Sequence, residues 1–291
     1  MLITLKEMMR IAEERGIAVG AFNTPNLESL RAILEAAEEL ALPVILQFAQ
    51  CHEELVPLSL IGPVMIGMAK ASDVPVCVHL DHGETLDYLR KALEIGFTSI
   101  MYDGSVLSYE ENAANTKLAV EMARKTGASV EAELGSMGKR ESGAGDTDGE
   151  GDDNKIYTDP KQAGQFVKET GIDALACSFG TTHGIYLTEP KLDFGIVSAV
   201  RDETGGIPVV MHGGSGVSGE DFHTAIKAGV RKINYFTYMD KAGGTAIGNL
   251  VKTIENGKPI FFTEVVKKAS EAMKENVKDA MKTFAHMDKE Y

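Results

Sequence analysis

Eight short apolar runs recur along this 291-residue chain with helical segments between them, and that alternation restricts the fold more than any other feature. The runs are Ala18–Phe22, Val44–Phe48, Val76–Leu80, Ser99–Tyr102, Ser129–Leu134, Ala174–Phe179, Val209–His212 and Lys232–Tyr235. Between them, segments such as Asn26–Leu40, Glu110–Lys125, Pro160–Thr170 and Ser218–Ala228 carry the period of amphipathic helices. Strand–helix alternation builds βαβ units and a parallel sheet, whose strands can be apolar on both faces because both are covered. An open doubly wound sheet has the same local pattern, so the polar residues must choose. Asn23, Gln47, Asp81, His82, Glu133, His183, His212 and Asn234 stand at or just after strand C-termini. A closed barrel gathers those ends around one rim, whereas an open sheet spreads them along an edge. The expected architecture is therefore an α/β fold, a (β/α)8 TIM barrel, in a single domain spanning 1–291. Additional helices follow the eighth strand, the last of them Phe262–Phe284.

Charge and composition narrow the ligand. A formal net charge of -14 repels nucleic-acid phosphates and anionic membrane surfaces. An acidic substrate must then be held by a local site, which points to a small molecule. Met1–Arg15 reads as a charged amphipathic helix, and no apolar run approaches the roughly 18 residues that span a bilayer. The three cysteines, Cys51, Cys77 and Cys177, lack metal-knuckle spacing, and two of them sit in apolar runs. Reduced thiols and a cytoplasmic location are the expectation.

The chemistry concentrates at the rim. His79-Leu80-Asp81-His82 ends the third run, His183 follows the sixth, and His212 ends the seventh. Histidines arriving from three strand ends can enclose a divalent metal and leave open positions for substrate oxygens, an arrangement typical of catalytic zinc. Gly213-Gly214-Ser215-Gly216 alone reads as a tight turn. Its place between the seventh strand and the next helix, with Asn234 and Thr237 after the eighth strand, fits the phosphate site that barrels build from those two loops. Gly135–Asn154 has no apolar period and is rich in Gly, Asp and Glu, so it is expected to be a mobile lid over the same rim.

The set Ala21-Phe22-Asn23, His79-Leu80-Asp81-His82, Val130-Glu131-Ala132-Glu133-Leu134-Gly135, Gly180-Thr181-Thr182-His183-Gly184, Lys191-Leu192-Asp193-Phe194 and His212-Gly213-Gly214-Ser215-Gly216 resembles the class II ketose-bisphosphate aldolases, the family of the fructose- and tagatose-bisphosphate enzymes. The resemblance runs in order from about residue 1 to about residue 240. It implies reversible aldol cleavage of a phosphorylated ketose to dihydroxyacetone phosphate and an aldehyde, with zinc stabilising the enediolate. It further implies His82, His183 and His212 as zinc ligands, with Glu133 holding the metal in an alternative position. Asp81 would handle the C4 hydroxyl proton and Glu141, in the lid, the proton at C3; a merely hydrated lid charge is the alternative for Glu141. Gly184, Gly213, Ser215 and Thr237 match phosphate-binding positions, and Asn23, Gln47 and Asn234 match polar residues around the substrate. Carbonyls around Thr182 and Gly213 resemble a site for a monovalent cation such as Na+ or K+. A homodimer or homotetramer is implied as well.

The chain departs from that pattern where Phe236 replaces the aspartate or alanine usual in the family, and where Ala49 replaces a frequent serine. Phe236 either shapes the pocket or points into the helix layer. Two other functions compete: a metal-dependent sugar-phosphate epimerase or isomerase, and a non-catalytic sugar-phosphate-binding protein. Binding alone needs neither Asp81 nor Glu141.

Overall fold

A computed structural model of the chain describes residues 1–135, 157–184, 186, 190–254 and 258–288. Its strands are β1 (Leu2–Ile3), β2 (Val19–Asn23), β3 (Val44–Ala49), β4 (Val76–Gly83), β5 (Ser99–Tyr102), β6 (Ser129–Leu134), β7 (Ala174–Cys177), β8 (Val209–Met211) and β9 (Val230–Asn234). All pairings are parallel, and the β4–β5 pairing closes β2–β9 into an eight-stranded barrel. The helices are α1 (Leu5–Arg15), α2 (Leu27–Leu40), α3 (Leu58–Ala71), α4 (Leu86–Ile95), α5 (Tyr109–Thr126), α6 (Pro160–Thr170), α7 (Phe194–Thr204), α8 (Gly219–Ala228), α9 (Thr237–Thr253) and α10 (Phe262–Phe284). None of them is long and apolar enough to cross a membrane.

Apolar side chains divide into two clusters because successive strand residues point to opposite faces. Phe22, Leu46, Phe48, Val78 and Leu80 belong to the large cluster shared with the helix layer. Val19, Ala21, Ile45, Cys77, Ala174, Ala176 and Val210 form a smaller cluster with Leu5, Met8, Met9 and Ala12 of α1. Helix α1 thus plugs the N-terminal end of the barrel. Above this plug the interior is buried and polar, with Gln47, His79, Asp81, Glu131, Glu133, His212, Lys232 and Asn234 all directed inward.

The N-terminus differs from expectation. Leu2–Ile3 pairs with Val76–Cys77 as a ninth strand, and Thr4, joined to Glu7 in a capping box, starts the helix only at Leu5. Two residues are too few to show a period, so the sequence reads as helix throughout Met1–Arg15. The third run also extends further, to Gly83, with a register irregularity between Leu80 and Gly83. The sixth and seventh stop early, at Cys177 and Met211.

At the C-terminus α10 lies against α2 and α9. Its Lys274 and Lys278 meet Glu39 at 2.8 and 2.9 Å, and Phe284 packs edge-on against Phe222 with centroids 4.8 Å apart. These contacts pack α10 onto the helix layer.

Candidate active site

The rim forms where β4 ends, and there the backbone leaves ordinary strand geometry. His82 adopts φ 47°, in the left-handed region, which costs a non-glycine residue about 1–2 kcal/mol. Plain alternation would send its ring away from the side that holds His79 and Asp81. The twist returns it to the barrel mouth, where its Nε2 lies 3.1 Å from His212 Nδ1. His183, on the segment after β7, completes the group: one ligand atom from each of His82, His183 and His212 falls within 4.8 Å of the others. The three histidines singled out in the sequence are therefore brought together.

A second overlapping group, His82, Asp103 and Glu133, meets the same criterion. Asp103 Oδ2 is 2.8 Å from His82 Nδ1, and Glu133 Oε2 is buried without a hydrogen-bond partner among the described residues. Buried carboxylates crowded together need a cation or a bound proton to offset their charge. Burial disfavours an imidazolium at His82, but Asp81, Asp103 and Glu133 outweigh it and push His82 up to about 10. Burial and the neighbouring Asp103 push Glu133 up to about 8. His212, by contrast, is held well below the usual histidine range by burial, next by His82. It is therefore the neutral imidazole that metals bind. Three imidazoles and an unsatisfied carboxylate suit a divalent metal at this place.

Asp81 is buried beside the imidazoles and fixed by amides from three strands. Its Oδ2 accepts from Gln47 Nε2 at 3.1 Å and Asn23 Nδ2 at 3.4 Å, and its Oδ1 accepts from Asn234 Nδ2 at 3.1 Å. Burial opposes its charge, but the neighbouring cations, His82 foremost and Lys232 with it, prevail and bring Asp81 to about 2. Asn23, Gln47 and Asn234 were expected around the substrate; in this structure their amide hydrogens serve Asp81. All three residues border the cavity, while the acceptors Gln47 Oε1 and Asn234 Oδ1 are buried without hydrogen-bond partners among the described residues.

The same cavity is bounded by Gly184, Gly213, Ser215 and Thr237. Gly213 has φ 66°, and a side chain there would collide with the Thr182 carbonyl, so only glycine fits. Ser215 Oγ accepts from the amides of Phe236 and Tyr238 at 3.3 and 3.4 Å, at the N-terminus of α9. Glycine amides beside a helix N-terminus attract an anion. The Gly213 carbonyl, expected at a monovalent-cation site, accepts from the Tyr186 hydroxyl at 2.8 Å. Phe236 borders the cavity, its ring 5.2 Å from that of His52, and also packs against the large apolar cluster. Glu141 and the acidic loop beyond Gly135 lie outside the described residues.

Asp103, Glu131 and Lys232 were missed as site residues. For Glu131 and Lys232 the signal was period two, since they stand two residues before Glu133 and Asn234 on strands with inward-facing ends; Asp103 directly follows the strand end at Tyr102.

The family model for fructose-bisphosphate aldolase class-II matches residues 3–289. A fructose-bisphosphate aldolase of Staphylococcus aureus is 39% identical over 287 residues, 97% of each chain. A probable fructose-bisphosphate aldolase of Bacillus subtilis is 38% identical over 291 residues, again 97% of each. Among solved structures, the YdjI aldolase from Escherichia coli K12 superposes with a TM-score of 0.85 at 34% identity, covering 98% of this chain and 97% of that one. With the barrel, the histidine cluster and similarity along nearly its whole length in agreement, the chain belongs to the class-II fructose-bisphosphate aldolases, a family of metal-dependent aldehyde-lyases.

Proposed function

We propose that the protein reversibly cleaves a phosphorylated ketose, of the fructose 1,6-bisphosphate or tagatose 1,6-bisphosphate type, to dihydroxyacetone phosphate and an aldehyde. One observation carries this reading: a triad of imidazoles at the barrel mouth stands next to Asp81, a buried carboxylate held by three amides. His82, His183 and His212 would hold zinc, with Glu133 as an alternative ligand. Zinc bound there supplies a Lewis acid for the negative charge that develops as the carbon–carbon bond breaks.

The remaining work falls to the chain itself. Asp81 is ionised at neutral pH and accepts the C4 hydroxyl proton, and its amide partners keep the carboxylate aimed at that atom. Asn23, Gln47 and Asn234, which border the cavity, contact the polar groups of the substrate. Gly184, Gly213, Ser215 and Thr237 seat the phosphate at the α9 N-terminus. Glu141 returns a proton to C3. The working form is a homodimer or homotetramer.

A coupled assay of the zinc-loaded protein on a panel of ketose mono- and bisphosphates tests this reading. Release of dihydroxyacetone phosphate is expected. Isomerised substrate without cleavage would indicate an epimerase or isomerase, and binding without turnover a non-catalytic protein.

Phe236 gives a further test on the same panel. Its ring offers apolar contact and no hydrogen bond, and a sugar hydroxyl left unpaired against it costs about 1–3 kcal/mol. Phe236→Asp should raise kcat/KM for fructose 1,6-bisphosphate relative to other ketose phosphates by about 5- to 160-fold. An unchanged order of preference would refute a specificity role for the ring.

A further inference from the structure

Beneath the histidine cluster lies a buried charged network that the proposed mechanism does not use. Glu131, on β6, and Lys232, on β9, are both fully buried, with Oε2 and Nζ 2.8 Å apart. The other carboxylate oxygen, Oε1, lies 2.9 Å from His212 Nε2. His79 joins from β4, its Nε2 3.5 Å from Glu131 Oε2 and its Nδ1 2.8 Å from Ser99 Oγ. Side chains from three strands and from the residue just after β8 therefore meet at one carboxylate.

We infer that Glu131, braced by Lys232, is a positioning residue that fixes the tautomer and orientation of His212 for metal binding. The inference rests on the proposed role of His212 as a ligand. The argument is geometric. A carboxylate can only accept, so the imidazole nitrogen facing Glu131 is the one that carries the hydrogen. Nε2 is thus the donor, and Nδ1, which faces His82 at 3.1 Å, presents its lone pair to the cluster. A ring free to choose between tautomers would offer the cluster a lone pair only part of the time. Lys232 completes the device from the opposite side of the carboxylate. Without this ammonium, Glu131 would be a buried charge lacking its compensating partner, and its hold on His212 would be lost as the interior rearranged. Such outer partners of ligating histidines typically contribute about 10- to 100-fold in metal affinity.

A purely structural ion pair is the rival explanation, and paired substitutions separate the two. E131L/K232M removes both charges at once, leaving the net charge of the interior unchanged, and apolar replacement of a buried ion pair is commonly tolerated. E131Q/K232M keeps the shape of the acceptor should the leucine variant fail to fold. Its amide can either accept from Nε2 or donate to it, so the tautomer is no longer fixed. For the apo proteins, the zinc dissociation constant is measured by chelator competition, the His212 tautomer by 15N–1H correlation of labelled histidine, and Tm alongside. The expected result is a folded variant with a Tm close to the parent's, a mixed His212 tautomer and zinc binding weakened about 10- to 100-fold. A folded variant with parental zinc affinity and hydrogen still on Nε2 would overturn the inference, whatever its Tm. H212A measured in parallel tells the two levels apart: if it too binds zinc like the parent, the ligand assignment falls and this inference with it.

Discussion

Replacing His212 by Ala is expected to remove metal and activity together. Four-ligand zinc sites in small peptides bind with about 10–16 kcal/mol, so losing one strong ligand removes ~3–4 kcal/mol, a several-hundred-fold rise in dissociation constant. Metal content by mass spectrometry and turnover after chelation and reloading check this; a variant that kept full activity after chelation would end the metal mechanism. The same site implies a pH dependence. Despite burial, Asp81, Asp103 and Glu133 keep His82 protonated in the metal-free protein, up to about pH 10. Loading must displace that proton, so metal affinity falls as pH is lowered.

Asp81→Ala is expected to spare the metal and the binding of dihydroxyacetone phosphate while lowering cleavage of the full ketose by about 10²–10⁴-fold, the usual contribution of a positioned acid or base. Because the truncation orphans the amides of Asn23, Gln47 and Asn234, Asp81→Asn serves as a companion. It restores volume and one acceptor oxygen but no base, so it should fold better and cleave no faster. Titration calorimetry with dihydroxyacetone phosphate and steady-state kinetics on the ketose give the two readouts. Unchanged turnover in either variant would remove Asp81 from the mechanism. Loss of metal in both would recast it as a support for His82.

Much of this site was readable from strand ends. Asp81 and His82 close an apolar run, and His212 ends another, so a barrel hypothesis sufficed to bring them to one rim. The roles of the amides were not readable in the same way. Asn23, Gln47 and Asn234 look like substrate contacts because polar residues at a barrel mouth usually are; that their hydrogens converge on Asp81 depends on the register of β2, β3, β4 and β9.

The sequence by itself determined the strand–helix repeat, the closed barrel it favours, and the residue types gathered at the rim, because periods of 2 and 3.6 are local properties of the chain. Tertiary structure alone decided the rest. The plugging of the barrel by α1 requires Met8 and Met9 to meet strands far along the chain. The left-handed turn that brings His82 back to the mouth has no glycine to announce it. The meeting of Glu131, Lys232, His79 and His212 joins residues up to 153 positions apart (79 to 232), on three strands and just past the end of a fourth. Such contacts are set by which strands become neighbours and in what register, a consequence of closure that no local pattern encodes.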